Sequence, residues 1–221
     1  MTNTRSPAAS PTQILDRIRA EPAKVWTPGD FADAGSREAV DKALQRLTKS
    51  SDIRRIERGL YDMPRLNKLT GKPSTPDYRA VIEAVARRDK ARFIVDGMTA
   101  ANTLGLTNAV PAKIEVLVDA RLKPIELGNQ KIVFKQAAPS RLYWAGRPGM
   151  YLVQALRWIH DTMHAETERS KVDQIIQKLL TDRNEGPKIA EDLRMGLSAM
   201  PIWMQDILRK PIMSGGSEKN A

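Results

Sequence analysis

The residues with the clearest chemical potential are basic and polar side chains in the first quarter of the chain. Three arginines fall within five residues, Arg54, Arg55 and Arg58, and they follow a run whose spacing is helical. Guanidinium groups match the geometry of phosphate oxygens, and Arg and Gln can hydrogen-bond base edges in the major groove. This combination predicts contacts with duplex DNA. The candidate DNA-binding residues are Ser36, Arg37, Lys42, Gln45, Arg46, Lys49, Arg54, Arg55 and Arg58.

The composition favours a polyanionic partner. The 221 residues include 36 Lys and Arg against 26 Asp and Glu, so the net charge is +10. The excess is spread: residues 1–65 hold 12 basic and 9 acidic groups, residues 66–140 hold 12 and 7, and residues 141–221 hold 12 and 10. The absence of cysteine excludes disulfides, thiolate zinc sites and Cys nucleophiles. We expect no cofactor, no metal site and no catalytic residue.

Three helices are predicted before the arginine cluster. Apolar residues at helical spacing predict a first helix over residues 12–20. Thr27 followed by Pro28 begins a short second helix that ends at Gly35. Ser36 then caps a third helix with one apolar face. The opposite face carries Glu38, Asp41, Lys42, Gln45 and Lys49, flanked by Arg37 and Arg46. The apolar residues of this third helix are Val40, Ala43, Leu44 and Leu47.

A β-hairpin is predicted directly after the third helix. Residues 53–56 and 60–63 are short strand-like runs, and Gly59 lies in the connection between them. Three helices followed by a basic hairpin are typical of a winged helix-turn-helix, in which the last helix enters the major groove. The hairpin arginines would then bind phosphates. The alternatives are that a mixed-charge helix face is merely solvated, or that the winged helix docks on another protein.

The chain is predicted to form two domains of an α+β protein. Residues 1–11 and 214–221 are polar and are expected to be disordered. Residues 12–68 form the winged helix-turn-helix, residues 69–76 form a linker rich in turn residues, and residues 77–213 form a mixed α/β domain with a helical carboxy-terminal part. Its predicted helices cover residues 77–88, 97–104, 150–163, 171–180, 188–195 and 202–208, and its strands cover residues 93–95, 114–118 and 132–134.

The sequence predicts the roles of two glycines and two tryptophans in the second domain. Gly97 is expected to permit a tight turn between a strand and a helix, and Gly105 is expected to end that helix in a left-handed conformation. Trp158 and Trp203 lie on apolar helical faces and are predicted to belong to the core.

An enzymatic alternative depends on carboxylates near the predicted strands. Asp96, Glu115 and Asp119 could bind magnesium as nuclease carboxylates do, although the lysine that usually accompanies them is absent at the usual spacing. Under this hypothesis the winged helix would target a nuclease or nucleotidyltransferase to nucleic acid. Carboxylates at strand ends are also commonly solvated.

Two stretches resemble the AbiEi-type antitoxins of type IV toxin-antitoxin systems. They are WTPGDFADAGSREAVDKALQRLTKSSDIRRIERGLYDMP and DGMTAANTLGLTNAVPAKIEVLVD. The more specific parts are the RGLY hairpin at residues 58–61 and the G-x-x-A-x-N-x-L-G-L pattern from Gly97 to Leu106. The resemblance covers roughly residues 14–158.

The resemblance implies a transcriptional repressor and antitoxin, and no enzyme. Such a protein would repress its own operon by binding promoter repeats through a winged helix-turn-helix. Its second domain would oppose a cognate nucleotidyltransferase-like toxin, directly or indirectly. No apolar run is long enough to span a membrane, so we expect a cytoplasmic, nucleoid-associated protein.

Overall fold

The structure, a computed structural model, describes residues 10–67, 70–109, 111–160 and 166–214 as a mixed α and β fold. The described residues up to Ala91, together with Pro124–Ile132, form one compact unit, and Arg92–Lys123 with the described residues from Val133 onward form another. The helices are α1 (Pro11–Ala20), α2 (Arg37–Lys49), α3 (Tyr78–Asp89), α4 (Gly97–Thr103), α5 (Met150–Ile159), α6 (Glu166–Leu180), α7 (Gly186–Met195) and α8 (Ile202–Ser214). The strands are β1 (Arg54–Glu57), β2 (Leu60–Asp62), β3 (Phe93–Val95), β4 (Lys113–Val118), β5 (Ile125–Leu127) and β6 (Gln130–Gln136).

The predicted three-helix order of the first unit is confirmed, with the second helix a 3₁₀ turn over Pro28–Phe31. Ser36 caps α2 by accepting a hydrogen bond from the Ala39 amide at 3.3 Å. The apolar stripe of α2 is fully buried. It contributes to a core formed by Ile14, Leu15, Ile18, Trp26, Phe31, Val40, Ala43, Leu44, Leu47, Ile53 and Tyr61.

The predicted hairpin is present as the antiparallel pair β1 and β2. Its turn contains Gly59 at a φ of 73°, a left-handed conformation that glycine adopts without steric cost. The hairpin is attached to the unit by Tyr61, whose backbone exchanges hydrogen bonds of 2.7 and 2.9 Å with Trp26. The indole of Trp26 stacks on Phe31 with ring centroids 5.1 Å apart. The hairpin therefore has a fixed position on the helical core.

The division into units differs from the predicted domain boundary at residues 69–76, because α3 belongs to the first unit. Two α3 arginines bind backbone carbonyls of that unit: Arg87 donates to Val25 O at 2.7 Å, and Arg88 donates to Arg58 O at 2.7 Å. The predicted disordered ends fall mainly outside the described residues. The described parts, residues 10–11 and 214, include the first residue of α1 and the last of α8.

A four-stranded sheet has the order β3-β4-β6-β5. β3 pairs antiparallel with β4, and β5 pairs antiparallel with β6. β5 was not among the predicted strands, because its three residues are too few to show an alternating pattern. The helix between β3 and β4 is held by Asp96, which accepts hydrogen bonds from the amide and hydroxyl of Thr99 and from the Glu115 amide.

The helices of the second unit surround an apolar core that includes Leu142, Trp144, Leu156, Ile176 and Leu193. Trp203 packs against this core, as predicted, whereas Trp158 is 37% exposed, so its predicted core position is wrong. Buried Asp192 joins α7 to the start of α5: it accepts hydrogen bonds from the Gly149 amide at 2.8 Å and from Arg147 Nε at 2.7 Å. None of the described helices is long and apolar enough to cross a membrane.

Gly97 allows α4 to approach α5, a role that differs from the predicted tight turn. A Cβ atom at Gly97 would lie 2.4 Å from Trp158 Cβ and 2.8 Å from Gln154 O, both on α5. The φ of Gly97 is not in the left-handed region. The missing side chain, and not a special backbone conformation, is therefore what this position requires.

We expect the substitution Gly97→Ala to lower the free energy of unfolding by about 1–3 kcal/mol, because the added methyl group overpacks the α4–α5 contact. The measurement is urea unfolding of the full chain, followed by circular dichroism. Gly29→Ala is the matched control, since its Cβ would meet only Thr27 Oγ1 at 3.5 Å, an ordinary contact. Equal stability of the Gly97→Ala protein and the wild type would contradict this account.

Candidate nucleic-acid interface

Six of the predicted DNA-binding residues are exposed on α2 or at its N-cap. Lys42, Gln45, Arg46 and Lys49 lie on the side of the helix away from the buried stripe, whereas Ser36 caps the helix and Arg37 lies in its first turn, where both are exposed. This arrangement follows from the helical period, because residues three and four apart share a face. The six exposed residues are Ser36, Arg37, Lys42, Gln45, Arg46 and Lys49.

The side chains at the amino-terminal end of α2 make local contacts. The Ser36 hydroxyl accepts the capping hydrogen bond, and Arg37 Nε lies 3.2 and 3.1 Å from the two carboxylate oxygens of Asp41. The Arg37 and Asp41 side chains are 68% and 49% exposed, so their ion pair is solvated and contributes only about 0.3–0.5 kcal/mol. An external phosphate could displace Asp41 at little cost.

Further along α2, four side chains make no hydrogen bond or ion pair with any described residue. They are Lys42, Gln45, Arg46 and Lys49, at relative positions 0, 3, 4 and 7, which place them in one stripe. Three of the four are cationic. This stripe, which we call the free α2 stripe, offers hydrogen-bond donors and positive charge to a partner outside the chain.

The hairpin continues from the end of the free α2 stripe. The amides of Asp52 and Ile53 both donate to Leu47 O, at 3.0 and 3.3 Å, and so fix the start of the hairpin against the last turn of α2. Arg55 lies exposed on β1 and has no partner among the described residues. Arg58 lies exposed in the turn. Its backbone is held by Glu57 and Arg88, but its guanidinium is unpaired within the described chain.

Arg54 is placed differently from the other hairpin arginines. Its Nε and Nη2 atoms bind both carboxylate oxygens of Asp62, at 2.9 and 2.5 Å, and its Nη1 donates to Ser74 O at 2.9 Å. Asp62 is only 7% exposed. We therefore assign Arg54 to the support of the hairpin. This role was not predicted, because it depends on the cross-strand register that places Arg54 opposite Asp62, and the sequence does not give that register.

The carboxylates of the enzymatic alternative have partners within the second unit. Asp96 is the cap of α4, as described above. Glu115 lies 2.6 Å from both the Lys113 and Lys135 ammonium groups, and these hydrogen bonds lower its pKa. Asp119 accepts a hydrogen bond from Arg92 Nε at 3.0 Å and another from the Arg92 amide at 2.8 Å, and these contacts lower its pKa. In the described ranges, no cluster of three or more His, Asp or Glu residues could hold a metal ion.

Comparison with known proteins places most of the chain in one family. No curated protein matches the sequence. Residues 13–184 match the model of a family of unknown function, DUF6088. Because this match covers well over half of the 221 residues, and includes both α2 and the hairpin, the chain belongs to the DUF6088 family.

Proposed function

We propose that this protein is a DNA-binding transcriptional repressor that also acts as the antitoxin of a type IV toxin-antitoxin system. One observation carries the DNA-binding part: the free α2 stripe and the exposed arginines Arg55 and Arg58 have no partners within the described chain. They are adjacent along the chain, and the hydrogen bonds to Leu47 O fix their connection. A solvent-facing set of unpaired cations fits a polyanion.

In this proposal α1, the 3₁₀ turn and α2 form a helix-turn-helix, and β1 and β2 form its wing. α2 is the recognition helix. Gln45 and Arg46 read base edges, since an amide can bind adenine and a guanidinium can bind guanine with two hydrogen bonds each. Lys42, Lys49, Arg55 and Arg58 contact phosphates and fix the register of the protein on the duplex.

The distribution of charge along α2 supports contact through its carboxy-terminal half. Glu38 and Asp41 lie in the first half, where Arg37 offsets one of them. The second half carries Lys42, Arg46 and Lys49 without a carboxylate. A phosphate backbone would therefore meet positive potential mainly near the end of α2 and on the wing, which favours docking at that end of the helix.

The antitoxin role depends on the resemblance to AbiEi-type antitoxins. Autoregulation would use promoter repeats as the operator, and the second unit would counteract a nucleotidyltransferase-like toxin, directly or indirectly. DNA binding would associate the protein with the nucleoid. The enzymatic alternative receives no comparable support, because its three carboxylates are engaged in capping or ion pairs.

We expect the full chain to bind a duplex from the promoter of its own gene more tightly than a scrambled duplex of equal length. Affinity should fall by orders of magnitude between about 50 and 200 mM salt if six or more phosphates release counterions. Fluorescence anisotropy with labelled duplexes measures both effects. Equal affinity for the two duplexes at every salt concentration would remove the repressor proposal.

Arg46→Ala and Gln45→Ala are each expected to cost about 1–3 kcal/mol of binding free energy at particular operator positions, because a lost bidentate contact leaves a base edge unpaired. Binding is measured against a set of singly substituted operators. Arg209→Ala, on the exposed face of α8, removes the same charge outside the proposed interface and serves as the control. Losses of equal size for Arg46→Ala and Arg209→Ala would show that only net charge matters.

Neighbouring arginines of β1 should separate DNA binding from stability. Arg55→Ala should weaken binding to all duplexes, reduce the salt slope by about one unit and leave unfolding unchanged. Arg54→Ala should lower the free energy of unfolding by about 1–3 kcal/mol, since it leaves the buried Asp62 carboxylate without its partner. Urea unfolding and anisotropy are measured on both proteins. If the Arg54→Ala protein is as stable as the wild type but loses DNA binding, Arg54 contacts DNA and its assignment to hairpin support is wrong.

A further inference from the structure

A pocket in the second unit has the features of a binding site for a small anion. Its volume is about 360 Å³, within the range of ligand pockets. Its floor includes Ile94 of β3 and Leu117 of β4, which are cross-strand partners. Its walls include the short 3₁₀ turn Pro139–Leu142 and one face of α5. The pocket therefore combines an apolar floor with walls from two separate elements.

The polar lining of this pocket is cationic. Arg141 comes from the 3₁₀ turn and Arg157 from α5, and neither guanidinium has a hydrogen bond or ion pair to another described residue. Gln154, one turn before Arg157 on α5, and Ser140 add neutral hydrogen-bonding groups. The described lining includes no carboxylate. Two unpaired guanidinium groups without a counter-ion are suited to a phosphate, which Arg can bind with two parallel hydrogen bonds.

The pocket also presents an aromatic ring. Tyr143 lines it and is 44% exposed. The Arg147 guanidinium carbon lies 4.5 Å from the centre of the Tyr143 ring, and Trp144 meets the ring edge-on with centroids 5.2 Å apart. Arg147 is held in turn by buried Asp192. Arg147 and Trp144 thus contact the ring, while Tyr143 stays partly exposed to a ligand in the pocket.

From these observations we propose that the pocket binds a nucleoside monophosphate, with the phosphate held by Arg141 and Arg157 and the planar base against Tyr143 and the Ile94–Leu117 floor. Flat apolar ligands gain from contact with an aromatic face, and the phosphate gains from two charge-assisted contacts. This site lies in the second unit and uses none of the residues proposed to contact DNA. It would give the protein a small-molecule ligand in addition to its DNA partner.

The test is isothermal titration calorimetry of the full chain at 150 mM salt with AMP, GMP, adenosine and inorganic phosphate. We expect saturable binding of at least one of the two nucleotides, with adenosine and inorganic phosphate each weaker by about tenfold or more. The Arg141→Gln/Arg157→Gln double variant should lose at least about tenfold in affinity, because contacts with charged groups are lost. Its thermal unfolding should match that of the wild type, since neither guanidinium has a partner in the described chain.

Two further variants separate this pocket from general attraction to a basic protein. Arg183→Gln/Arg209→Gln removes the same two charges from exposed sites in the same unit and should bind the nucleotide as the wild type does. Arg46→Ala should also bind it normally, which makes the result independent of the DNA-binding proposal. The pocket proposal is overturned by absence of nucleotide binding, by equal affinity for inorganic phosphate, or by unchanged binding in the Arg141→Gln/Arg157→Gln protein.

Discussion

Burial of one apolar stripe of α2 decides which side chains of the first unit can meet a partner. Leu44 is completely buried at the centre of this stripe, beside Val40 and Leu47. Since a helix rotates by a fixed angle per residue, fixing these positions also fixes the outward direction of Lys42, Gln45, Arg46 and Lys49. The end of α2 then determines where the hairpin begins, through the two amides that bind Leu47 O. The proposed interface is therefore a consequence of core packing.

The sequence was sufficient to predict those features of the fold that depend on local patterns of residues. The Ser36 cap, the apolar stripe of α2 and the left-handed Gly105, with a φ of 75°, depend on residues within a few positions of one another, and all three predictions are confirmed. The exposed positions on α2 follow directly from them. The sequence was insufficient where a residue's role depends on a distant partner. Arg54 lies beside Arg55 in sequence, but only the register of the hairpin brings it to Asp62.

Dependence on distant partners also explains why the observed placement of α3, Gly97 and Trp158 differs from the predicted one. The composition of residues 69–76 indicates a linker, yet α3 is fixed to the first unit by arginines that reach carbonyls 62 and 30 residues earlier in the chain. Gly97 follows a strand, which suggested a turn, whereas the α5 backbone and Trp158 are what exclude a side chain there. Trp158 meets α4 with its Cβ, so its ring need not be buried for the residue to contribute to packing.

The arginines of this protein differ in function according to whether a carboxylate of the same chain binds their guanidinium group. Arg54 and Arg147 bind the buried carboxylates of Asp62 and Asp192, and they hold a hairpin and a pair of helices in place. Arg46, Arg55, Arg141 and Arg157 have no such partner in the described chain. On the exposed faces of a helix and a strand, unpaired cations can follow an extended polyanion. Around a pocket with an apolar floor, the same group instead suits a small anion that also carries a planar apolar part. Enclosure, more than residue type, therefore distinguishes the two proposed ligands.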